Sequence, residues 1–200
     1  MSGRGRRLPR SFYARSSLEV APELLNKVLV RGELRMRIVE VEAYAGPDDP
    51  ASHAYGGRTP RNEVMFGPAG HLYVYFTYGM HWCANVVCGR RGVPTAVLLR
   101  AGAPLRGLEQ MRQARRAGRS VARRDRDLGA GPARLAQAMG IDRTLDGVDL
   151  VAPDSPVRIV DDGVAPPDHP GRSPRIGIRV AVARPWRWYV PGDPNLSRPG

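Results

Sequence analysis

Residues 37–57, RIVEVEAYAGPDDPASHAYGG, bring carboxylates, phenols and an imidazole into one short stretch. Glu40, Glu42 and Tyr44 are spaced by two, the period of a strand, so an extended backbone projects all three from one face. Ile38 shares that phase, while Val39, Val41 and Ala43 fall on the opposite face and read as core. Gly46, Pro47, Asp48, Asp49 and Pro50 end the strand, and His53 follows in a polar loop. A carboxylate can take a proton from water, and a phenol and an imidazole can stack on and hydrogen-bond a planar group. A half-exposed sheet face carrying solvated acids is the alternative. This stretch alone does not decide between them.

The elements that would position these groups follow from patterning. Residues 17–27 predict a helix, with Leu18, Ala21 and Leu25 at helical spacing and Pro22 marking an early turn. A short apolar strand over residues 28–30 turns at Gly32 into the strand that carries the acids. Residues 71–77 alternate as a strand, with Tyr73, Tyr75 and Thr77 on one face and Leu72, Val74 and Phe76 on the other. Tyr78 and Gly79 read as the tip of a hairpin that returns over 80–87. A large aromatic at such a tip can push into a base stack or fold back onto its own hairpin. Asn85 in the return strand needs a polar partner if buried. Residues 95–100 read as a buried strand ending in Arg100, residues 103–117 as a helix, and Gly131-Pro132 as the start of a short helix through Met139. Two short strands are expected within 145–160, a Pro-rich loop over 164–174 and a further strand over 175–182. Arg115 to Arg126 holds six arginines in twelve residues and reads as a loop or solvated basic face.

Composition narrows the partner. Thirty-one basic residues against nineteen acidic ones give a net charge of +12, which suits a polyanion such as nucleic acid. Arg58 and Arg61, around a Thr-Pro turn, suit phosphate contacts or a solvated loop equally. Cys83 and Cys88 form no CxxC pair, and His53, His71, His81 and His169 have no zinc spacing, so neither a disulfide framework nor a metal site is expected. No phosphate cradle of the P-loop type and no GxSxG elbow is present. The first ten residues carry no apolar run of the signal-peptide kind, and no apolar run is long enough to span a membrane. A cytoplasmic, nucleoid-associated protein is expected. Lys27 is the only lysine, which argues against Schiff-base chemistry unless Lys27 or the amino terminus serves as the amine. What remains is carboxylate chemistry beside aromatics in a basic protein, the means to hydrolyse the N-glycosidic bond of a flipped nucleotide.

Five motifs then occur in one order: residues 37–44 (RIVEVEAY), 59–62 (TPRN), 72–75 (LYVY) with 78–80 (YGM), 98–100 (LLR) and Gly131-Pro132. In that order they resemble the alkyladenine (3-methyladenine, or methylpurine) DNA glycosylases, over residues 17–190. The resemblance implies that Glu42 is the general base and that Arg100, with the main-chain carbonyl near Ile176, helps place the attacking water. It implies a base pocket of Tyr44, His53, Tyr75 and Leu98, with Asn85 narrowing it against the exocyclic amino group of guanine. Tyr78, with Met80 beside it, would fill the gap left by the flipped nucleotide, and Glu40 would be structural or electrostatic. The Arg-rich loop and the Pro-rich tail depart from the family pattern and are expected to lie away from the site.

These readings combine into one expectation: an α+β protein with a curved antiparallel sheet, flanking helices and a protruding, DNA-intercalating hairpin. Residues 1–16 form a basic flexible arm, 17–190 the glycosylase domain and 191–200 a Pro-rich tail. It acts as a monomer, without cofactor or metal, on double-stranded DNA containing damaged purines. It excises 3-methyladenine and 7-methylguanine, with hypoxanthine and ethenoadenine as further candidates. It leaves an abasic site and has no lyase activity. A basic nucleic-acid binder without catalysis is the rival.

Overall fold

The computed structural model describes residues 5–77, 79–118 and 121–198. Its frame is one curled, mixed-length antiparallel sheet ordered β1-β7-β2-β3-β6-β5-β4, with β9 pairing both β3 and β8. The strands are β1 (Arg6–Arg7), β2 (Val28–Arg31), β3 (Leu34–Tyr44), β4 (Leu72–Thr77), β5 (His81–Cys88), β6 (Thr95–Arg106), β7 (Val157–Asp161), β8 (Gly171–Ser173) and β9 (Arg187–Tyr189). Among the described residues, four α-helices accompany them: α1 (Arg10–Tyr13), α2 (Ser17–Leu24), α3 (Leu108–Ala117) and α4 (Pro132–Ala138). The expected α+β class with a curved antiparallel sheet is what is found.

β3 is the axis of the sheet. β6 pairs along its length, from Arg35 opposite Arg106 to Tyr44 opposite Ala96. Its other edge is shared by β2, opposite residues 34–37, and β9, opposite residues 40–42. The register slips twice in the middle of the β3–β6 pair, so that Val39 and Arg100 have no partner across the ladder. These bulges correct the assignment of Ile38. A bulge inserts one residue and reverses the phase of everything beyond it. Ile38 therefore joins Met36, Val41 and Ala43 in the main core, and only Glu40, Glu42 and Tyr44 keep the site face.

That core lies between the other sheet face and the helices. Leu29, Ile38, Leu72, Val86, Val97 and Leu99 meet Val20 and Leu24 of α2, Met111 of α3 and Leu135 of α4, all buried. α2 starts where a capping box permits: Ser16 accepts from the Glu19 amide and the Glu19 carboxylate accepts from the Ser16 amide. Ser17, Val20, Ala21 and Leu24 form its buried stripe, at the i, i+3, i+4 spacing of an amphipathic helix. Pro22 sits inside this helix rather than at its start. α4 opens with Pro132 in its first turn, as expected, and Gly140 follows its end with φ 62°.

Four expectations fail where pairing overrides local pattern. Residues 103–106 extend β6 instead of starting a helix, because Arg35, Met36 and Arg37 offer them a ladder; α3 begins after Gly107, whose φ is 85°. Only one strand, β7, forms within 145–160, and residues 147–150 instead exchange amide hydrogen bonds with Gly70 and Leu72. Residues 175–182 alternate in polarity but find no partner strand, and Gly177 and Ala181 both have positive φ. From Gly5 onward the expected loose arm is structured: β1 pairs with β7, and Leu8 and Tyr13 are buried in the core.

Candidate active site

Glu40 and Glu42 project from the part of β3 walled by β6 and β9, and both are fully buried. Among the described residues, the Glu42 carboxylate has three partners. Tyr44 Oη donates to Oε2 at 2.9 Å, the Ile176 amide donates to Oε1 at 2.7 Å, and Arg100 Nη1 lies 3.2 Å from Oε1. The amide of Ile176, rather than its carbonyl, therefore touches the carboxylate. Burial raises the pKa of Glu42, against the pull of Arg100, the Ile176 amide and Tyr44; Glu40 adds a small push in the same upward direction.

Glu40, two residues away, is set the other way. Arg100 Nε and Arg187 Nε each donate to Oε1 at 2.8 Å, and Ser197 donates its hydroxyl to Oε1 and its amide to Oε2, both at 2.7 Å. Burial alone would raise its pKa, but Arg187, Arg100 and Ser197 outweigh burial and hold it low. The two acids share Arg100, which the bulge on β6 aims between them. The expectation that the tail lies away from the site is corrected here. Ser197 belongs to residues 191–200, and Arg187 Nη2 also donates to the Arg198 carbonyl at 3.1 Å.

A second buried ion pair holds Tyr44. Arg175 binds both oxygens of Asp49, Nη2 to Oδ1 at 2.7 Å, and donates to the Ala43 carbonyl at 3.0 Å. Its guanidinium lies 4.7 Å from the Tyr44 ring centre and 5.1 Å from that of Trp186. Arg175 thereby anchors the segment whose next residue delivers its amide to Glu42.

In front of Glu42 opens a cavity of about 400 Å³, lined by Tyr44, His53, Tyr73, Tyr75, Asn85, Leu98, Arg100 and Ile176 among others. Glu42 lies behind this wall, and its partners Tyr44, Arg100 and Ile176 form part of it. The His53 ring stands edge-on to Tyr75, centres 4.4 Å apart, and shares a hydrogen bond of 3.1 Å with the Tyr73 hydroxyl through Nδ1. Burial, helped by Arg61, lowers the His53 pKa, which favours a neutral ring near pH 7. Asn85 donates to the Tyr73 carbonyl at 3.2 Å, so its expected polar partner exists. Cys83 also lines the cavity, and burial pushes its thiol up to about 11.

Seven sequence-derived residues thus meet here: Glu42, Arg100, Tyr44, His53, Tyr75, Asn85 and Leu98. At the hairpin, Thr77 of β4 and His81 of β5 also line the cavity. β4 and β5 pair antiparallel with Thr77 opposite His81, and Met80 is 66% exposed; Tyr78 lies outside the described residues. Arg58 pairs with Glu63 at 3.2 Å, and Arg61 donates to the Phe76 carbonyl at 2.9 Å; both arginines are exposed. Sequence reasoning missed Tyr73, Asp49, Arg175, Arg187 and Ser197. Tyr73 shares the phase of Tyr75 and was within reach; the other four are polar residues in loops, a turn and a short strand, with no pattern to mark them.

Among the described residues, no group of three or more His, Cys, Asp or Glu could hold a metal ion, and no helix is long and apolar enough to cross a membrane. A buried acid–arginine cluster thus lies behind an aromatic cavity, in one α+β domain with a net charge of +12. Residues 11–194 match the family described as Methylpurine-DNA glycosylase (MPG), and the chain belongs to that family. It is 60% identical over 193 residues to a protein of Burkholderia lata, covering 96% of this chain and 91% of that one. It is 50% identical over 196 residues to one of Streptomyces avermitilis, covering 95% and 90%, and 46% identical over 198 residues to one of Methanocella arvoryzae, covering 96% of each. All three carry the name "Putative 3-methyladenine DNA glycosylase". Membership of a family of enzymes removes the non-catalytic binder as a rival.

Proposed function

We propose that this enzyme flips alkylated purines, 3-methyladenine and 7-methylguanine first among them, out of duplex DNA and hydrolyses their N-glycosidic bond with water activated by Glu42. The observation that carries the reading is the Glu42 carboxylate, held by Tyr44, Arg100 and the Ile176 amide against an aromatic cavity. Among the described residues, Oε1 is committed to Arg100 and Ile176, whereas Oε2 takes one bond from Tyr44 and keeps an acceptor position for a water hydrogen. A carboxylate with a raised pKa is the stronger base, which suits proton abstraction from water.

The lesion supplies much of the driving force. A purine alkylated on the ring is already cationic, so its bond to the sugar breaks without an acid and leaves an oxocarbenium-like sugar. Water attacks the anomeric carbon and gives its proton to Glu42, and the base departs with the bonding electrons. A cationic base also stacks on Tyr44 and Tyr75, by cation–π attraction of roughly 0.5–2 kcal/mol. A neutral lesion such as hypoxanthine lacks both advantages and is the slower substrate.

The enzyme stops at the abasic site. A lyase step needs an amine at the sugar, and the only lysine, Lys27, is buried at the start of β2 with its ammonium 2.9 Å from Asp161. The test is Glu42→Gln on a duplex carrying 7-methylguanine. Excision should vanish while lesion-DNA affinity stays within a few-fold, and borohydride added to wild-type turnover should trap no protein–DNA adduct. Substantial excision by Glu42→Gln would overturn the assignment of the base, and a trapped adduct lost in Lys27→Ala would overturn the water mechanism.

A further inference from the structure

Arg100 spends each of its three guanidinium nitrogens on a different partner. Nε donates to Glu40, Nη1 contacts Glu42, and Nη2 donates to the Ser197 hydroxyl at 3.2 Å. That hydroxyl passes its own proton to Glu40 at 2.7 Å, so one oxygen bridges the arginine and its structural acid. A guanidinium is planar, and three fixed points define a plane. Ser197 supplies the third point, and it sits in the segment after β9 that the sequence reading kept apart from the site.

We propose that Ser197 is a positioning residue for the Glu42–Arg100 pair, so that the segment after β9 completes the active site. This rests on Glu42 being the base. Ser197 acts in two ways. By satisfying Glu40 through both its amide and its hydroxyl, it leaves Arg100 free to serve Glu42 as well. By accepting from Nη2, it keeps Nη1 turned toward Glu42 rather than toward Glu40. Without the hydroxyl, Arg100 swings to the more strongly ionised Glu40, and Glu42 loses its contact with Arg100.

Of the groups around Glu42, Ser197 touches Arg100 and Glu40. Glu40 and Tyr44 face Glu42 from β3, Tyr75 from β4, Cys83 from β5 and the Ile176 amide from its loop, while Arg187 of β9 lies across the ladder and binds Glu40. A change in the pH profile of a Ser197 variant therefore reports on the Arg100–Glu40 pair that Ser197 holds.

The test compares Ser197→Ala with Ser197→Thr, which restores the hydroxyl, in single-turnover excision of 7-methylguanine across pH. Ser197→Ala should be slowed roughly tenfold or more by the misplaced arginine. Its acidic limb should move to higher pH, since Glu42 without Arg100 holds its proton longer. Lesion-DNA affinity should not change, and Ser197→Thr should recover both rate and limb. An unaltered rate and limb in Ser197→Ala, or a Thr variant as impaired as Ala at the same melting temperature, overturns the proposal. Glu42→Gln run alongside separates the two readings. If it is inactive while Ser197→Ala is normal, only the positioning role falls; if it is active, both fall.

Discussion

Two carboxylates two residues apart are given opposite characters by their partners. Glu40 collects two arginines and Ser197 and stays ionised; Glu42 has one arginine at 3.2 Å and a buried setting that works against its charge. The consequences for stability have opposite signs. Glu40, with a lowered pKa, contributes stability above the ordinary carboxylate range that is lost as pH falls through its folded value. Glu42, with a raised pKa, favours the folded state when protonated, and that contribution is lost as pH rises through its folded value. At pH 7.5 Glu40→Gln should therefore destabilise by on the order of 3 kcal/mol, as expected when one partner of a buried ion pair is removed. Glu42→Gln should melt at or above the wild-type temperature although it is inactive, since sites set for catalysis are commonly not set for stability. Thermal unfolding of the two variants checks this, and a Glu42→Gln variant less stable than Glu40→Gln contradicts it. For excision, activity should fall on the acid side at a pH above the ordinary range for Glu, as Glu42 takes its proton.

Two elements decide whether the site exists and whether it reaches DNA. The double slip between β3 and β6 turns Arg100 toward the acids, and it is held by close backbone packing beside it. Gly102 donates its amide to the Gly129 carbonyl, and a Cβ on Gly129 would come 2.3 Å from the Gly102 carbonyl oxygen. Gly129→Ala must move backbone, and a loss of about 1–3 kcal/mol in denaturant unfolding is expected, the range for overpacked interiors. Unchanged stability would mean that the neighbouring segment yields freely. The β4–β5 hairpin is the element that would enter the duplex, with Met80 exposed beside its turn. If Tyr78 is the wedge that offsets unstacking, Tyr78→Ala should weaken binding and excision on lesion duplex by up to a few kcal/mol. The same variant should act almost normally on a lesion in single-stranded DNA. Equal losses on both substrates would assign Tyr78 to folding instead.

At the scale of the whole molecule, a net charge of +12 makes association with DNA a matter of counterion release. Many arginines are already spent internally: Arg100, Arg175 and Arg187 are buried in ion pairs, and Arg112 and Arg124 bind Asp125 and Asp127. Arg58 and Arg61 are exposed and also have internal partners, Glu63 and the Phe76 carbonyl, and each lies over an aromatic ring, at 4.7 Å from Phe66 and 5.9 Å from Tyr75. If each contacts a phosphate, its change to Ala should reduce the slope of log affinity against log salt by about 1 and weaken all sequences alike. A slope unchanged in both variants would confine them to the protein surface.

The sequence by itself determined the parts of the site that obey a period. Glu42 and Tyr44 on one strand, and Tyr73 and Tyr75 on another, are legible because a strand sends every second side chain to the same face. The order of five motifs carried the family, and with it Arg100, His53, Asn85 and Leu98. Only the tertiary structure decided the rest. Ile38 changed face because a bulge cannot be seen in one strand alone; it exists between two. Residues 103–106 became strand because Arg35 to Arg37 stood ready to pair, and residues 175–182 failed to become one because nothing did. Arg175, Arg187 and Ser197 reach Asp49 and Glu40 across more than a hundred residues of chain. A buried charge selects its partner by position in space, and that choice leaves no spacing in the sequence to read.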